Sequence, residues 1–157
     1  MPSSLVTIED IRRAAESLRG VAVRTPLTEV AELSRIAGFP VYLKHEQRQP
    51  TGAFKLRGAW NAVSRLAPDV RSRGVITYSS GNHGQALAYA AQRMGIRAVI
   101  VMPETTPAAK VDGVKKWGGE AVLVGTTSEH RYARAQEIAA RDGLSIIPPF
   151  DHPDIIA

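Results

Sequence analysis

The apolar positions of the chain change rhythm near residue 70. Beyond it, four apolar runs begin at Val75, Ala98, Ala121 and Leu144, a constant step of 23 residues. The intervening stretches, Asn82–Met94, Pro107–Trp117 and Glu129–Arg141, carry apolar residues at helical spacing. Gly95, Gly118 and Gly143 follow these stretches, where a left-handed C-terminal turn is expected. Strands alternating with helices of this length close as a parallel sheet with right-handed crossovers. Ile100, Val101, Val122, Leu123, Val124, Ile146 and Ile147 read as strands buried on both faces. The expected fold class is α/β, a parallel sheet with flanking helices.

The front of the chain is less regular. Thr7 is a candidate cap for a helix with apolar positions Ile8, Ile11, Ala15 and Leu18, Asp10 in its first turn and Gly20 as its stop. Val21–Val23 reads as a short extended run closed by Thr25-Pro26, and a second helix is expected from Glu29 to Ala37, ended by Gly38. Val41–Lys44 alternates like a strand. Pro50 and Gly52 then turn the chain into a helix with Leu56, Ala59, Trp60, Val63 and Leu66 along one face. Trp60 and Trp117 fit helix faces and are expected in the core. At the other end, Asp151–Ala157 reads as the start of another helix that stops without a cap, as in the front part of a longer protein.

Two helix starts carry candidate chemistry. The run Tyr78-Ser79-Ser80-Gly81-Asn82-His83-Gly84 follows a strand and opens a helix. Unpaired amides at such a start attract anions, and parallel sheets place ligands at the carboxyl ends of their strands. Gly81 and Gly84 permit close backbone approach, while Ser79, Ser80 and Asn82 add short polar side chains. A carboxylate or phosphate suits this loop, and so does the plain reading of a capped βα turn; it lacks the full G-x-G-x-x-G pattern of a dinucleotide site. Lys55 lies in the first turn of its helix, where the dipole disfavours a cation, which suits a Schiff-base amine. Phe54 offers an aromatic face beside it. By itself Lys55 reads more simply as a surface lysine. His83 reads as structural or as a backbone donor, and Arg131 as a solvated helix arginine that could reach an anionic substrate.

Composition narrows the partners. The 157 residues are 44% hydrophobic with a formal net charge of +5, but basic residues are scattered among acidic ones and aromatics make up only 6%. This argues against a nucleic-acid face. Cysteine is absent, which excludes disulfides and thiolate metal sites. No run reaches membrane-spanning length and the first residues do not form a signal peptide, so a cytoplasmic location is expected.

Together, Thr51-Gly52-Ala53-Phe54-Lys55-Leu56-Arg57-Gly58-Ala59 and Ser79-Ser80-Gly81-Asn82-His83-Gly84-Gln85-Ala86-Leu87-Ala88 resemble the serine/threonine dehydratase and serine racemase branch of pyridoxal phosphate enzymes. This is the tryptophan synthase β-like fold, fold type II. Arg24-Thr25-Pro26-Leu27 and Val101-Met102-Pro103 are similar to the same family. The resemblance implies that residues 1–69 belong to the large cofactor domain, 70–150 to a small α/β lobe, and 151–157 to the start of a return to the large domain. Lys55 would hold pyridoxal 5'-phosphate as a Schiff base and take the Cα proton. Phe54 would pack near the cofactor ring and Asn82 would bond its ring hydroxyl. Ser79, Ser80, Asn82 and His83 would hold the substrate carboxylate, Arg131 would approach the substrate, and Ser80 would be the acid/base on the opposite face.

The implied reaction is loss of water from L-threonine or L-serine, giving a 2-oxo acid and ammonia, with racemisation or 3-hydroxyaspartate dehydration as alternatives and a homodimeric or homotetrameric parent. Ala53 stands where the family usually has serine. The family's phosphate-holding glycine-rich loop, its partner for the pyridine nitrogen, and the divalent-cation site of some members are expected later than these residues, so little activity is expected of this chain alone. The rival from another class is a non-catalytic α/β module that binds a phosphate ligand at the Ser79–Gly84 helix start.

Overall fold

Continuous apolar strands need cover on both faces, and the protein supplies it from two sets of helices. The structure is a computed structural model that describes residues 5–157. Its front section comprises α1 (Ile8–Ser17), β1 (Leu27–Glu29), α2 (Ala31–Ala37), β2 (Tyr42–Lys44) and a 3-10 turn at Glu46–Arg48. Then follow α3 (Lys55–Ser64), α4 (Pro68–Arg71), β3 (Val75–Tyr78), α5 (Asn82–Met94), β4 (Ala98–Met102), α6 (Ala108–Lys116), β5 (Glu120–Leu123), α7 (Ser128–Asp142), β6 (Ser145–Ile146) and α8 (Pro153–Ile156).

The main sheet is wholly parallel, in the order β5-β4-β3-β6. One face packs Val75, Ala98, Ile100 and Met102 against Ala62 and Val63 of α3, Leu87, Ala88 and Ala91 of α5, and Val114 of α6. The other packs Ile76, Val99 and Val101 against Ala135, Ile138 and Ala139 of α7. The chain therefore runs outward from β3 through β4 to β5, then crosses behind the sheet along α7 to place β6 on the far side of β3. Carboxyl-end loops diverge on either side of such a reversal, and a crevice opens there. Gly95, Gly118 and Gly143 have φ of 67°, 71° and 69°, the left-handed turns expected at these helix ends.

Several expectations change in detail. Val21–Val23 is not a strand: Val21 and Ala22 lie in a turn and bend, and Val23 pairs with a side chain instead, its N–H and C=O both bonded at 2.9 Å by the Gln49 amide. The first strand is Leu27–Glu29, antiparallel to β2. Because Glu29 is spent on that pairing, α2 begins at Ala31 rather than Glu29. The predicted N-cap does form: Thr7 and Asp10 make a capping box. Of the predicted apolar positions of α1, however, Ile8, Ile11 and Ala15 are exposed and only Leu18 is buried, joined by Ala14, which was not among them. Strand β5 is a sheet edge, so Ala121 and Val122 are half-buried and Leu123 is exposed. The two tryptophans are half-buried: Trp60 donates to the Ser17 carbonyl at 2.8 Å, and Trp117 meets Tyr89 edge-on. The last segment is capped at its start, where His152 accepts from the Asp154 amide. No helix among the described residues is long and apolar enough to cross a membrane.

Candidate active site

The loop after β3 is shaped by one hydroxyl. Ser79 continues the strand by one bond, its N–H donating to the Val101 carbonyl at 2.9 Å. Its buried Oγ then accepts from the amides of Gly81 at 3.3 Å and Gly84 at 3.2 Å. This folds the loop onto the first turn of α5. The amides of Asn82 and His83 are left without a partner among the described residues, at the positive end of a 13-residue helix. The helix can approach so closely because position 84 is glycine: a Cβ there would lie 2.7 Å from Ile100 Cγ2.

Lys55 arrives from another direction. A turn closed by the Gly52 amide on the Gln49 carbonyl at 2.8 Å leads into α3, with Lys55 as its first residue. The start of α3 is held by Arg57, whose guanidinium makes two 2.9 Å bonds to Glu46. Thr25 Oγ1 also donates to Glu46 at 2.6 Å. Hydrogen bonds from Arg57, then Thr25 and Gln49, outweigh burial and hold the Glu46 carboxyl down at about 2. Farther along α3, Asn61 donates to the Asp154 carbonyl at 2.8 Å, tying the helix to the end of the chain.

The third wall is the segment after β6. Lys55 Nζ donates to the Pro149 carbonyl at 2.7 Å and lies 5.5 Å from the centre of the Phe54 ring. His83 is only 3% exposed, and its Nε2 faces the Ile147 carbonyl at 3.4 Å. Burial, with a smaller push from the Lys55 charge, brings its pKa down from 6.5 to about 4, so the ring is neutral at pH 7. The bond to Ile147 assigns the proton to Nε2. Nδ1 is then a buried acceptor, and it has no partner among the described residues.

These three walls border an open cleft of about 390 Å³. Phe54, Lys55, Ser79, Ser80, Asn82 and His83 all line it. Arg131 does not: its Nη2 donates to Ser128 Oγ at 2.8 Å on α7, and its buried Nε has no partner among the described residues. Three lining residues carry no signal in the amino-acid sequence, namely Lys110, Pro149 and Phe150. Lys110 looks like any lysine of a mixed helix, and the Pro-Phe pair gains meaning only when β6 is known to lie beside β3. A larger hollow of about 820 Å³ lies between α1, the residues after it, Lys44 and Arg57. It contains none of the Ser79–Gly84 loop, and two of its lining residues, Glu46 and Arg57, are occupied in bracing α3. Size alone therefore does not mark the site. No group of three or more acidic or histidine side chains among the described residues could hold a metal ion.

The cleft presents a primary amine and an aromatic face, which fit an aldehyde-bearing aromatic cofactor, and unpartnered helix-start amides, which fit a carboxylate substrate beside it. The family described as "Pyridoxal-phosphate dependent enzyme" matches residues 18–157, and the chain belongs to it. The chain is 46% identical over 154 residues to a putative threonine dehydratase of Sinorhizobium fredii, covering 98% of this chain and 46% of that protein. It is 41% identical to an L-threo-3-hydroxyaspartate ammonia-lyase of Saccharomyces cerevisiae, covering 96% of this chain and 46% of that protein. Among solved structures, maize serine racemase superposes with a TM-score of 0.92 at 35% identity, over 96% of this chain and 46% of that one. The chain thus spans about half the length of the curated relatives it matches. Pyridoxal 5'-phosphate is the cofactor of the family.

Proposed function

We propose that this chain carries the lysine and substrate-carboxylate half of a pyridoxal phosphate-dependent ammonia-lyase acting on 3-hydroxy amino acids such as L-threonine or L-serine. The net reaction releases ammonia and leaves a 2-oxo acid. The observation that carries this reading is the meeting of Lys55 and the Ser79–Gly84 loop in one cleft, at the carboxyl ends of β3 and β6. When bound, pyridoxal phosphate supplies an electron sink for the carbanion at Cα.

The residues of the chain do the rest. Lys55 Nζ would hold the cofactor through its aldehyde, with loss of water, and the same amine would serve as the base for the Cα proton. The Pro149 carbonyl gives that amine a resting partner in the meantime. Phe54 flanks the amine, and the Asn82 side chain is exposed at the cleft for a cofactor hydroxyl. The amides of Asn82 and His83 receive the substrate carboxylate, with Ser80 beside them. Ser79 acts by holding the loop in shape, since its hydroxyl oxygen already accepts two amides. Residues 1–69 with 151–157 make up the part of the larger cofactor domain present here, and residues 70–150 the smaller lobe. A cytoplasmic location and a homodimeric or homotetrameric parent belong to the same reading.

The test is covalent trapping. Pyridoxal phosphate is added to the chain, borohydride is applied, and the adduct is mapped by peptide mass spectrometry. A pyridoxyl group on Lys55, lost in Lys55→Ala, is the expected result. Undiminished labelling of Lys55→Ala would refute the assignment. Phosphate binding at the loop without any adduct would favour the non-catalytic module instead.

One observation favours racemisation as a second activity of the same site. The Ser80 side chain is exposed at the cleft and makes no hydrogen bond to a described residue, so its hydroxyl is free to return a proton to Cα. In the full-length parent, Ser80→Ala is expected to abolish formation of D-amino acid while retaining most ammonia release; equal loss of both would remove this second reading.

A further inference from the structure

Between β6 and α8 the chain crosses a short segment, Pro148–Asp151, that is almost free of hydrogen bonds. Upstream of it, the Ile147 amide makes the last sheet bond, donating to the Ile76 carbonyl at 2.8 Å. Downstream, α8 is fixed to α3. Asn61 holds the Asp154 carbonyl, Arg65 pairs with the Asp154 carboxylate at 2.7 Å, and Gly58 leaves room for the Ile155 carbonyl. Pro148 and Pro149 have no N–H to offer β3, so the strand cannot continue through them. Asp151 then turns the chain back with φ of 51°, the one non-glycine among the described residues in the left-handed region. Among the described residues, Pro148–Asp151 make a single hydrogen bond, which Lys55 Nζ donates to the Pro149 carbonyl.

That bond lies on a partition. Beside the cleft is a second hollow of about 370 Å³, lined by Arg57, Gly58, Asp151, Ile155 and Ile156 and by none of the Ser79–Gly84 loop. Phe54, Lys55 and Phe150 line both hollows, so the contact of Lys55 with the segment stands between them. A segment with few bonds opens locally, and its order depends on the groups that hold it. Here that group is the amine that the catalytic reading above, on which the release step rests, uses for covalent bonding. When Nζ forms a double bond to an aldehyde carbon, the aldehyde oxygen leaves as water and the nitrogen loses most of its donor capacity. We propose that the Lys55–Pro149 bond is a latch. In the cofactor-free chain it orders Pro148–Asp151 as a wall between the two hollows, and engagement of the amine by the cofactor aldehyde releases the segment and joins them. The His83 ring on the Ile147 carbonyl at 3.4 Å keeps the sheet end in place, so loosening is confined to the residues past Ile147.

Amide relaxation in the isotope-labelled 157-residue chain tests the latch. Phe150 and Asp151 report on the segment, and Ile147 checks that the fold is kept. In the wild-type chain the Phe150 and Asp151 amides are expected to be as ordered as the sheet, with order parameters of about 0.85. In Lys55→Met, which keeps the aliphatic stem without the donor, they should fall below about 0.6 while Ile147 is unchanged. Lys55→Arg retains a donor and should retain the order. The chain trapped with pyridoxal phosphate and borohydride should behave as Lys55→Met does. Amides already mobile in the wild-type chain, or still rigid in Lys55→Met, would overturn the proposal. So would joint loss of order at Ile147, which would make Lys55 a general structural contact. Failure to trap an adduct on Lys55, with order lost in Lys55→Met, would refute the catalytic reading and leave the ordering contact standing. An adduct on Lys55 with the segment still rigid would refute the latch alone.

Discussion

The parallel sheet and the front hairpin are both made of short strands, but they are held by different forces. All five residues of β4 are buried, packed between α5 and α6 on one side and α7 on the other. All six residues of β1 and β2 are exposed. Of the large apolar side chains left open, Ile8, Ile11, Leu27, Leu33, Ile36, Phe39 and Leu43 all come from the front section. That section is fastened to α3 through polar contacts, Arg57 with Glu46 and Trp60 with the Ser17 carbonyl, and is tied within itself by Thr25 on Glu46 and by Gln49 on the Val23 backbone. Apolar burial is spread over many atoms and tolerates no missing layer, whereas a hydrogen-bonded brace depends on a few groups and on their charge. Lys55 stands at the junction of the two. Its helix packs on the sheet through Ala62 and Val63 and is braced to the hairpin through Arg57.

The contrast can be broken in graded steps, read by urea unfolding. The largest loss is expected from Ile100→Ala, in the centre of the sheet and fully buried, at about 2–5 kcal/mol. Next comes acid. His83 titrates at about 4 when folded against 6.5 in the unconstrained ring. The unfolded chain therefore binds more protons between these values, and stability is full above 6.5 and falls as pH drops toward 4. That accounts for about 3 kcal/mol. His83→Gln should flatten this part of the pH–stability curve, and an unchanged slope would mean that another group is responsible. Glu46 acts lower: with its folded pKa lowered to about 2, its contribution is present above 4.5 and is lost as pH falls through 2.

Glu46→Ala removes the brace itself and should cost about 1–2 kcal/mol, since Arg57 keeps partial access to water. It should also impair trapping at Lys55 more than Ile36→Ser does. The smallest effect is expected from Ile36→Ser, on the open face of α2, within about 0.5 kcal/mol. A loss there as large as that of Ile100→Ala would show that the hairpin is held by apolar burial after all.

Much of the sheet was legible because its elements repeat. The 23-residue step places each strand to within one residue, and the three helix-ending glycines adopt the conformation their positions demand. The front section was less legible for a physical reason. The partner of Val23 is a glutamine side chain 26 residues away, and no local periodicity records such a contact. Edge effects were hidden as well, since Val122 and Leu123 have the composition of a central strand. At the site, Lys55, Phe54 and the Ser79–Gly84 loop stood out through their local motifs. Lys110, Pro149 and Phe150 did not, because their relevance depends on which strand neighbours β3.

The sequence by itself determined the alternation of strand and helix, the helix start that exposes the Asn82 and His83 amides, and the lysine that opens α3. These follow from apolar spacing, turn chemistry and caps, all of which act over a few residues. Strand order belongs to the tertiary structure. Helix α7 could cover the second face of the sheet only by carrying the chain behind it, which set β6 beside β3 rather than beyond β5. That crossing brought the Pro149 carbonyl to Lys55 and the Ile147 carbonyl to His83 across 94 and 64 residues of chain. The cleft exists because burying both faces of the sheet required the reversal.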